Sequence, residues 1–118
     1  HWAASDTAKA GLIGLTRSLA VDYGPQGIRA DAVCPGWVVT PMGDEDMDGL
    51  ASAAGLTRDE ASARATANVP LRRPATADEI AACCLFLASD DASIVTGSTL
   101  VADGGGIAVE PASTAFDR

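Results

Sequence analysis

The chain has little that would mark a secreted, membrane-embedded or nucleic-acid-binding protein. No apolar run approaches the roughly 18 residues of a membrane span. Cysteine is scarce: Cys34, Cys83 and Cys84 are the only three in 118 residues. Their number is odd, the adjacent pair is poorly placed to bridge itself, and no Cys-x-x-Cys spacing points to zinc or a redox couple. They read as buried or half-buried thiols in a reducing cytoplasm, not as a disulfide framework. Basic residues are also few. Eight Lys and Arg against sixteen Asp and Glu give a net charge of −8, which argues against a nucleic-acid or anionic-membrane partner. The single histidine, His1, stands at the terminus, so a Ser-His-acid triad has no support. The opening residues lack a basic stretch followed by an apolar one, so no signal peptide is expected. Without an initiator methionine they suggest a processed chain or a fragment. What is present is enough for the core of one domain at most: 47% hydrophobic and 20% charged residues.

From Ala3 to Tyr23 the apolar residues Ala8, Leu12, Leu15 and Leu19 recur at spacings of four, three and four, which predicts a helix with a broad buried face. Ser5, Asp6 and Thr7 are suited to its start, with Ser5 as the N-cap, and Gly24-Pro25 to its end. Ile28 to Cys34 reads as a strand closed by Pro35-Gly36. Trp37 to Met42 is then an apolar loop, which suits the lining of a pocket better than a solvent-facing turn. Gly43 to Asn68 reads as one or two helices broken near Gly55, and Pro70 to Pro74 as a linker held by Arg72 and Arg73. Thr76 with Glu79 forms a capping box for a helix running to about Ala88, with Ile80, Cys83, Cys84 and Leu87 on its apolar side. Ser98 to Ala102 is a short strand ended by Asp103-Gly-Gly-Gly106, and Ile107 to Arg118 has no clear period.

Two strands joined through helices imply a parallel pair and an α/β fold. Two parallel strands alone make a poor sheet, because parallel sheets need cover on both faces and neighbours at both edges. The pattern is that of one end of a larger sheet, with helices dominating.

Several segments, in order and in register, resemble the short-chain dehydrogenases/reductases. Ala8-Lys-Ala-Gly-Leu12 with Leu15-Thr-Arg-Ser-Leu-Ala20 is similar to their active-site helix. Gly27-Ile-Arg-Ala-Asp-Ala-Val-Cys-Pro-Gly36 is similar to their sixth strand and the turn after it. Thr76-Ala-Asp-Glu-Ile-Ala81, Phe86-Leu-Ala-Ser89, Thr96-Gly97 and Val101-Ala-Asp-Gly-Gly105 resemble the family's C-terminal end. The resemblance implies the C-terminal part of a doubly wound, Rossmann-type parallel sheet. It implies reversible hydride transfer between NAD or NADP and an alcohol or carbonyl substrate. Lys9 then falls where the family's lysine holds the nicotinamide ribose, and Pro35, Gly36, the Val38 backbone and the Thr40 hydroxyl fall where the family binds the nicotinamide carboxamide. Trp37 and Met42 would flank the substrate.

Three departures accompany it. Ser5 stands four residues before Lys9, where the family carries its proton-donating tyrosine. A serine hydroxyl is a far weaker acid than a phenol of pKa about 10, and shorter by a ring. No G-x-G-x-x-G turn follows a strand in this chain. Asp31 stands where the family usually has asparagine. The expectation is therefore a partial dinucleotide-binding domain over 1–118 whose N-terminal half is absent. It would act as part of an oxidoreductase or, alternatively, as a non-catalytic assembly module or degenerate subunit. It should form a homo-oligomer or pair with an N-terminal half. Asp44, Asp46, Asp48 and Gly49 match part of a calcium loop, but Gly55 occupies the position of its bidentate Glu, so they read as a solvated acidic helix start with no metal site.

Overall fold

The structure is a computed structural model that describes residues 2–110. In chain order it contains α1 (Trp2–Tyr23), β1 (Ala32–Pro35), β2 (Val38–Val39), α2 (Pro41–Ala54), α3 (Arg58–Ala65), β3 (Ala75–Thr76), α4 (Ala77–Ala88) and β4 (Thr99–Ala102). Short 3-10 turns lie at Gly24–Gln26, Asp90–Ala92 and Gly106–Ala108. The fold is the expected helix-dominated α/β arrangement. β1 neighbours β4, and β2 neighbours β3. Ala32 N–H donates to Ser98 O at 3.0 Å, and four residues on along both strands Gly36 N–H donates to Ala102 O at 3.1 Å, so β1 and β4 run parallel. The residues divide into two compact units: one holds the segment up to Cys34 with Ala82–Val101, the other Pro35–Ala81 with the segment from Ala102 on.

In the first unit, α1 spans the range its periodicity predicts, but its details differ. Ser5 stands about a turn inside the helix, not at its N-cap. The left-handed residue that closes the helix end is Gly27 (φ +78°), after the 3-10 turn, and not Gly24. The expected broad buried face is not buried: Leu12, Leu15 and Leu19 are 58%, 52% and 38% exposed, and Ala20 is the buried residue of the helix. Gly97 lies close to it: a β-carbon there would stand 3.4 Å from that of Ala20. Cys84, expected to be at least half-buried, is exposed.

The strand expected from Ile28 begins only at Ala32. Before it, the backbone is tied to the segment 89–98 by side chains. The Arg29 guanidinium donates to the carbonyls of Ser89 and Val95 at 3.1 and 3.2 Å, and Ala30 N–H donates to Thr96 Oγ1 at 3.1 Å. Asp31 Oδ1 accepts from Ser98 N–H at 3.0 Å and from its hydroxyl at 2.6 Å, while Oδ2 faces Arg29 at 3.6 Å. The Asp31 side chain is only 4% exposed, so these partners offset the cost of burying its charge.

In the second unit, Val38–Val39 is not loop but strand, paired in parallel with Ala75–Thr76 in the register Val38 to Ala75. The two helices foreseen between Gly43 and Asn68 form, and Gly55 (φ +67°) breaks them where expected. Met47, Ala51 and Ala61 form their core, with Trp37 and Leu56 packed on it. Trp37 is therefore a packing residue of this hairpin, and Met42 is 75% exposed. Asp44 and Asp48 lie one turn apart on helix α2, not on a calcium loop. Arg58 binds them both, through Nε and Nη2 to Asp48 and Nη1 to Asp44. The hydrogen bonds from Arg58, with its charge, hold the Asp48 carboxyl below the usual carboxylate range.

The capping box at Thr76 forms as read: Glu79 N–H donates to Thr76 Oγ1 at 3.2 Å, and Thr76 N–H to Glu79 Oε2 at 2.9 Å. Arg73 grips the same carboxylate with two bonds of 2.6 and 2.8 Å and so anchors the linker to α4. Arg73, with the Thr76 N–H, pulls Glu79 from 4.5 down to about 2. A depressed carboxyl pKa stabilises the fold above its unfolded value and stops doing so as pH falls through the folded one. The α4 start should therefore be held fully above about pH 4.5, lose protection progressively as pH falls from 4.5 to about 2, and gain nothing from this carboxylate below that, as followed by amide exchange at Asp78 and Glu79. Glu79→Gln should remove that pH dependence while leaving α4 exchange at pH 7 faster than in the parent.

Candidate functional site

The turn after β1 is shaped by close backbone approach. A β-carbon on Gly36 would lie 2.9 Å from Cα and Cβ of Asp103, so no other residue fits without displacement. The glycine that the resemblance assigns to cofactor binding makes room here for the chain's own Asp103. That aspartate organises the turn after β4. Its carboxylate accepts from the N–H groups of Gly105 at 2.8 Å and Ile107 at 2.7 Å, and these amides lower its pKa. Gly104 and Gly105 take left-handed conformations (φ +68° and +90°) and lie against Val69 and Pro70, and Leu71 N–H donates to Gly104 O at 3.2 Å. The three glycines thus form a packed turn, not a phosphate cradle opening a helix.

Beyond Gly36, Trp37 O accepts from Ala75 N–H at 2.8 Å, which fixes the path of the chain into Val38. Thr40 is the N-cap of α2. Its backbone is extended (φ −152°, ψ +161°), its Oγ1 accepts from Gly43 N–H at 3.1 Å, and its carbonyl accepts from Asp44 N–H at 2.8 Å. Pro41 at the first helical position needs no hydrogen-bond partner for its nitrogen. In this cap Thr40 uses its oxygen as an acceptor, and the hydroxyl hydrogen is left to donate elsewhere. Gly43 sits equally close to its surroundings: a β-carbon there would stand 2.5 Å from Val38 O and 3.3 Å from Thr40 Oγ1.

Lys9 belongs to the first unit. It is exposed on α1, and among the described residues its ammonium makes no salt bridge. Ser5, also exposed, lies four residues earlier, about one turn or 6 Å along the helix. Tyr23, the chain's one tyrosine, is 14 residues further on, about 21 Å along the axis, and cannot share a reacting atom with Lys9.

Pro35, Gly36, Val38 and Thr40 thus follow one another in the second unit, around the β1 end and the α2 start. Three residues that organise this region were not singled out in the sequence: Gly43, Asp103 and Thr57, whose capping box with Glu60 starts α3. Thr57-x-x-Glu60 carried a readable signal. Asp103 before three glycines carried a weaker one, and Gly43 carried only its poor helix propensity in a first helical turn.

Comparison with known proteins places this geometry. Residues 1–106 match the family model described as enoyl-(acyl carrier protein) reductase. Protein MoaE of Klebsiella aerogenes is 58% identical over 110 residues, which cover 93% of this chain and 43% of MoaE. A short chain dehydrogenase family protein from Francisella tularensis superposes with a TM-score of 0.84 at 35% identity, over 87% of this chain and 43% of that one. A candidate NAD(P)-dependent gluconate 5-dehydrogenase from Beutenbergia cavernae, solved with NADP bound at low occupancy, gives 0.72 at 37% identity over 87% of this chain and 38% of that one. The chain spans less than half the length of each of these relatives. With a family model matched from end to end of the described strands, and a superposable fold at more than 30% identity, the chain belongs to the short-chain dehydrogenase/reductase family of oxidoreductases.

Proposed function

We propose that this chain supplies the C-terminal share of a nicotinamide site, serving hydride transfer between an alcohol and a carbonyl compound. NAD or NADP, when bound, carries the hydride on its nicotinamide ring. The observation that carries this reading is Thr40. It lies just past the C-terminal end of a parallel strand, where open α/β sheets receive ligands, and its cap leaves the hydroxyl hydrogen free to donate. That donor suits the carboxamide oxygen, and the Val38 backbone lies two residues before it. Pro35 and Gly36 bring the chain there, and Lys9 offers an exposed ammonium for ribose hydroxyls. A substrate of small-molecule alcohol or carbonyl type follows from the same reading, and three free thiols suit a reducing cytoplasm.

Ser5 does not complete the site. A hydroxyl without the phenol's acidity or reach cannot protonate the substrate oxygen that a tyrosine would reach from that position. This favours a second reading, a non-catalytic assembly module or degenerate subunit that keeps the fold's contact surfaces. The exposed Leu12, Leu15 and Leu19 on α1 and Leu85 and Phe86 on α4 are consistent with it. In either reading the chain works as a partial dinucleotide-binding domain, in a homo-oligomer or paired with an N-terminal half. Covering a single exposed leucine is worth about 1.5–3 kcal/mol.

The chain alone should show no turnover of NADH or NADPH with carbonyl substrates above a Lys9→Met control, and turnover above that control would overturn the reading of Ser5. With a dinucleotide half supplied, Thr40→Val should weaken cofactor binding by about 1 kcal/mol or more, and Thr40→Ser should retain it. Unchanged affinity in Thr40→Val counts against the nicotinamide site. Sedimentation should find the chain associated or partly unfolded, and a cooperatively folding 11.9 kDa monomer would refute the need for a partner.

A further inference from the structure

We infer that Gly43 is a positioning residue for the nicotinamide site: by lacking a β-carbon it sets the Val38 carbonyl and the Thr40 hydroxyl in the one arrangement that leaves the Thr40 hydrogen available to a ligand. The inference rests on the reading proposed above and adds a residue to it.

Two independent contacts lead to Gly43. Its N–H donates to Thr40 Oγ1 at 3.1 Å, which fixes the hydroxyl oxygen as an acceptor and turns the hydroxyl hydrogen away from the helix. Its Cα lies beneath the Val38 carbonyl, so that a β-carbon would meet Val38 O at 2.5 Å. That distance is well inside van der Waals contact, and the atom met is backbone, which cannot swing aside as a side chain can. Nothing in the conformation of residue 43 itself demands glycine, because it sits in the first turn of a right-handed helix and its φ is not positive. Glycine is a poor helix former, costing about 1 kcal/mol against alanine in a helix interior. The residue is therefore explained by the space above it and not by the helix. Gly49 on the same helix gives the contrast: a β-carbon there would meet nothing within 4 Å.

A β-carbon at 43 has two ways to be accommodated. The Val38 peptide can rotate, which moves the backbone group assigned to the carboxamide. Alternatively the first turn of α2 can retreat, which lengthens the bond from Gly43 N–H to Thr40 and lets the hydroxyl reorient. Val38 is also held in register with Ala75, and Trp37 O is bonded to Ala75 N–H, so the strand resists moving as a whole. Either adjustment spoils one end of the donor–acceptor pair.

The test compares Gly43→Ala, Gly49→Ala and Thr40→Val in this chain joined with its dinucleotide half, measuring by calorimetry the affinity for NADP and NAD and for ADP-ribose, which lacks the nicotinamide. Gly43→Ala should weaken the dinucleotides about tenfold, the equivalent of ~1.4 kcal/mol, and leave ADP-ribose binding unchanged. Gly49→Ala should change neither. Amide exchange supplies a readout without cofactor: in Gly43→Ala the residue 43 amide should lose protection while α2 beyond Met47 keeps it. A loss common to dinucleotides and ADP-ribose would show that the substitution disturbs the fold generally and would overturn the inference. Full dinucleotide affinity in Gly43→Ala beside a loss in Thr40→Val would overturn the role of Gly43 and keep the site. Full affinity in both variants would remove the nicotinamide reading and this inference with it.

Discussion

The carboxylate of Asp103 is bound by the backbone N–H groups of Gly105 and Ile107, and much of the second unit is arranged around that bond pair. A charge held by amides is about twice as strong an interaction as a neutral hydrogen bond, and here it closes a turn made of three glycines. The turn presents the Asp103 backbone to Gly36, at the end of β1, and its own glycines to Val69–Leu71, at the entry to the linker. Three segments far apart in sequence thereby meet closely at glycine positions. At Gly36, Gly104 and Gly105 the β-carbon is missing where the chain passes itself closely. The loop that carries Val38 and Thr40 leaves from one of these crossings, so its geometry inherits their precision.

The described residues contain little conventional core. The buried apolar residues are Ala20, Met47, Ala51, Ala61 and Ala92, and none of the large side chains is completely enclosed. Local order comes instead from caps and charged bonds: Thr40 on α2, Thr57 with Glu60 on α3, Thr76 with Glu79 on α4, and Arg58 across Asp44 and Asp48. At exposed positions each of these contributes little on its own. They define where elements start and how neighbours along the chain lie, while large apolar groups stay at the surface. The chain spans less than half the length of the relatives that share its fold.

The elements were legible in the sequence wherever the signal was local. The span of α1, the break at Gly55, the capping box at Thr76 and the strand near Thr99 all rest on residues within one or two turns of one another. What was missed depends on distant partners. Val38 and Val39 read as a loop because two residues carry no period, and their strand exists only through Ala75 and Thr76. The residues before Ala32 read as strand by extension from the apolar Ala32-Val33-Cys34, but Arg29 and Asp31 spend their polar groups on a segment more than sixty residues away. At the site, Thr40 was legible by resemblance, whereas the pressure of Val38 O on Gly43 has no trace in sequence spacing. Ser5 read as a cap because serine favours that position, yet the helix starts earlier.

The latch around Arg29 and Asp31 also has a kinetic meaning. Its bonds span 60 to 67 residues along the chain, whereas Arg58 reaches Asp48 across ten. Closing a loop of 66 residues costs about 1.7 kcal/mol more in chain entropy than closing one of ten. The α2–α3 hairpin can thus assemble from neighbours, in a search that finishes early, while the pairing of β1 with β4 must wait for the chain to find its distant end. In a polypeptide that emerges N-terminus first, β1 leaves the ribosome well before the residues that complete it. During that interval Asp31 is a charge beside an unpaired strand, without the Ser98 donors that later take it up.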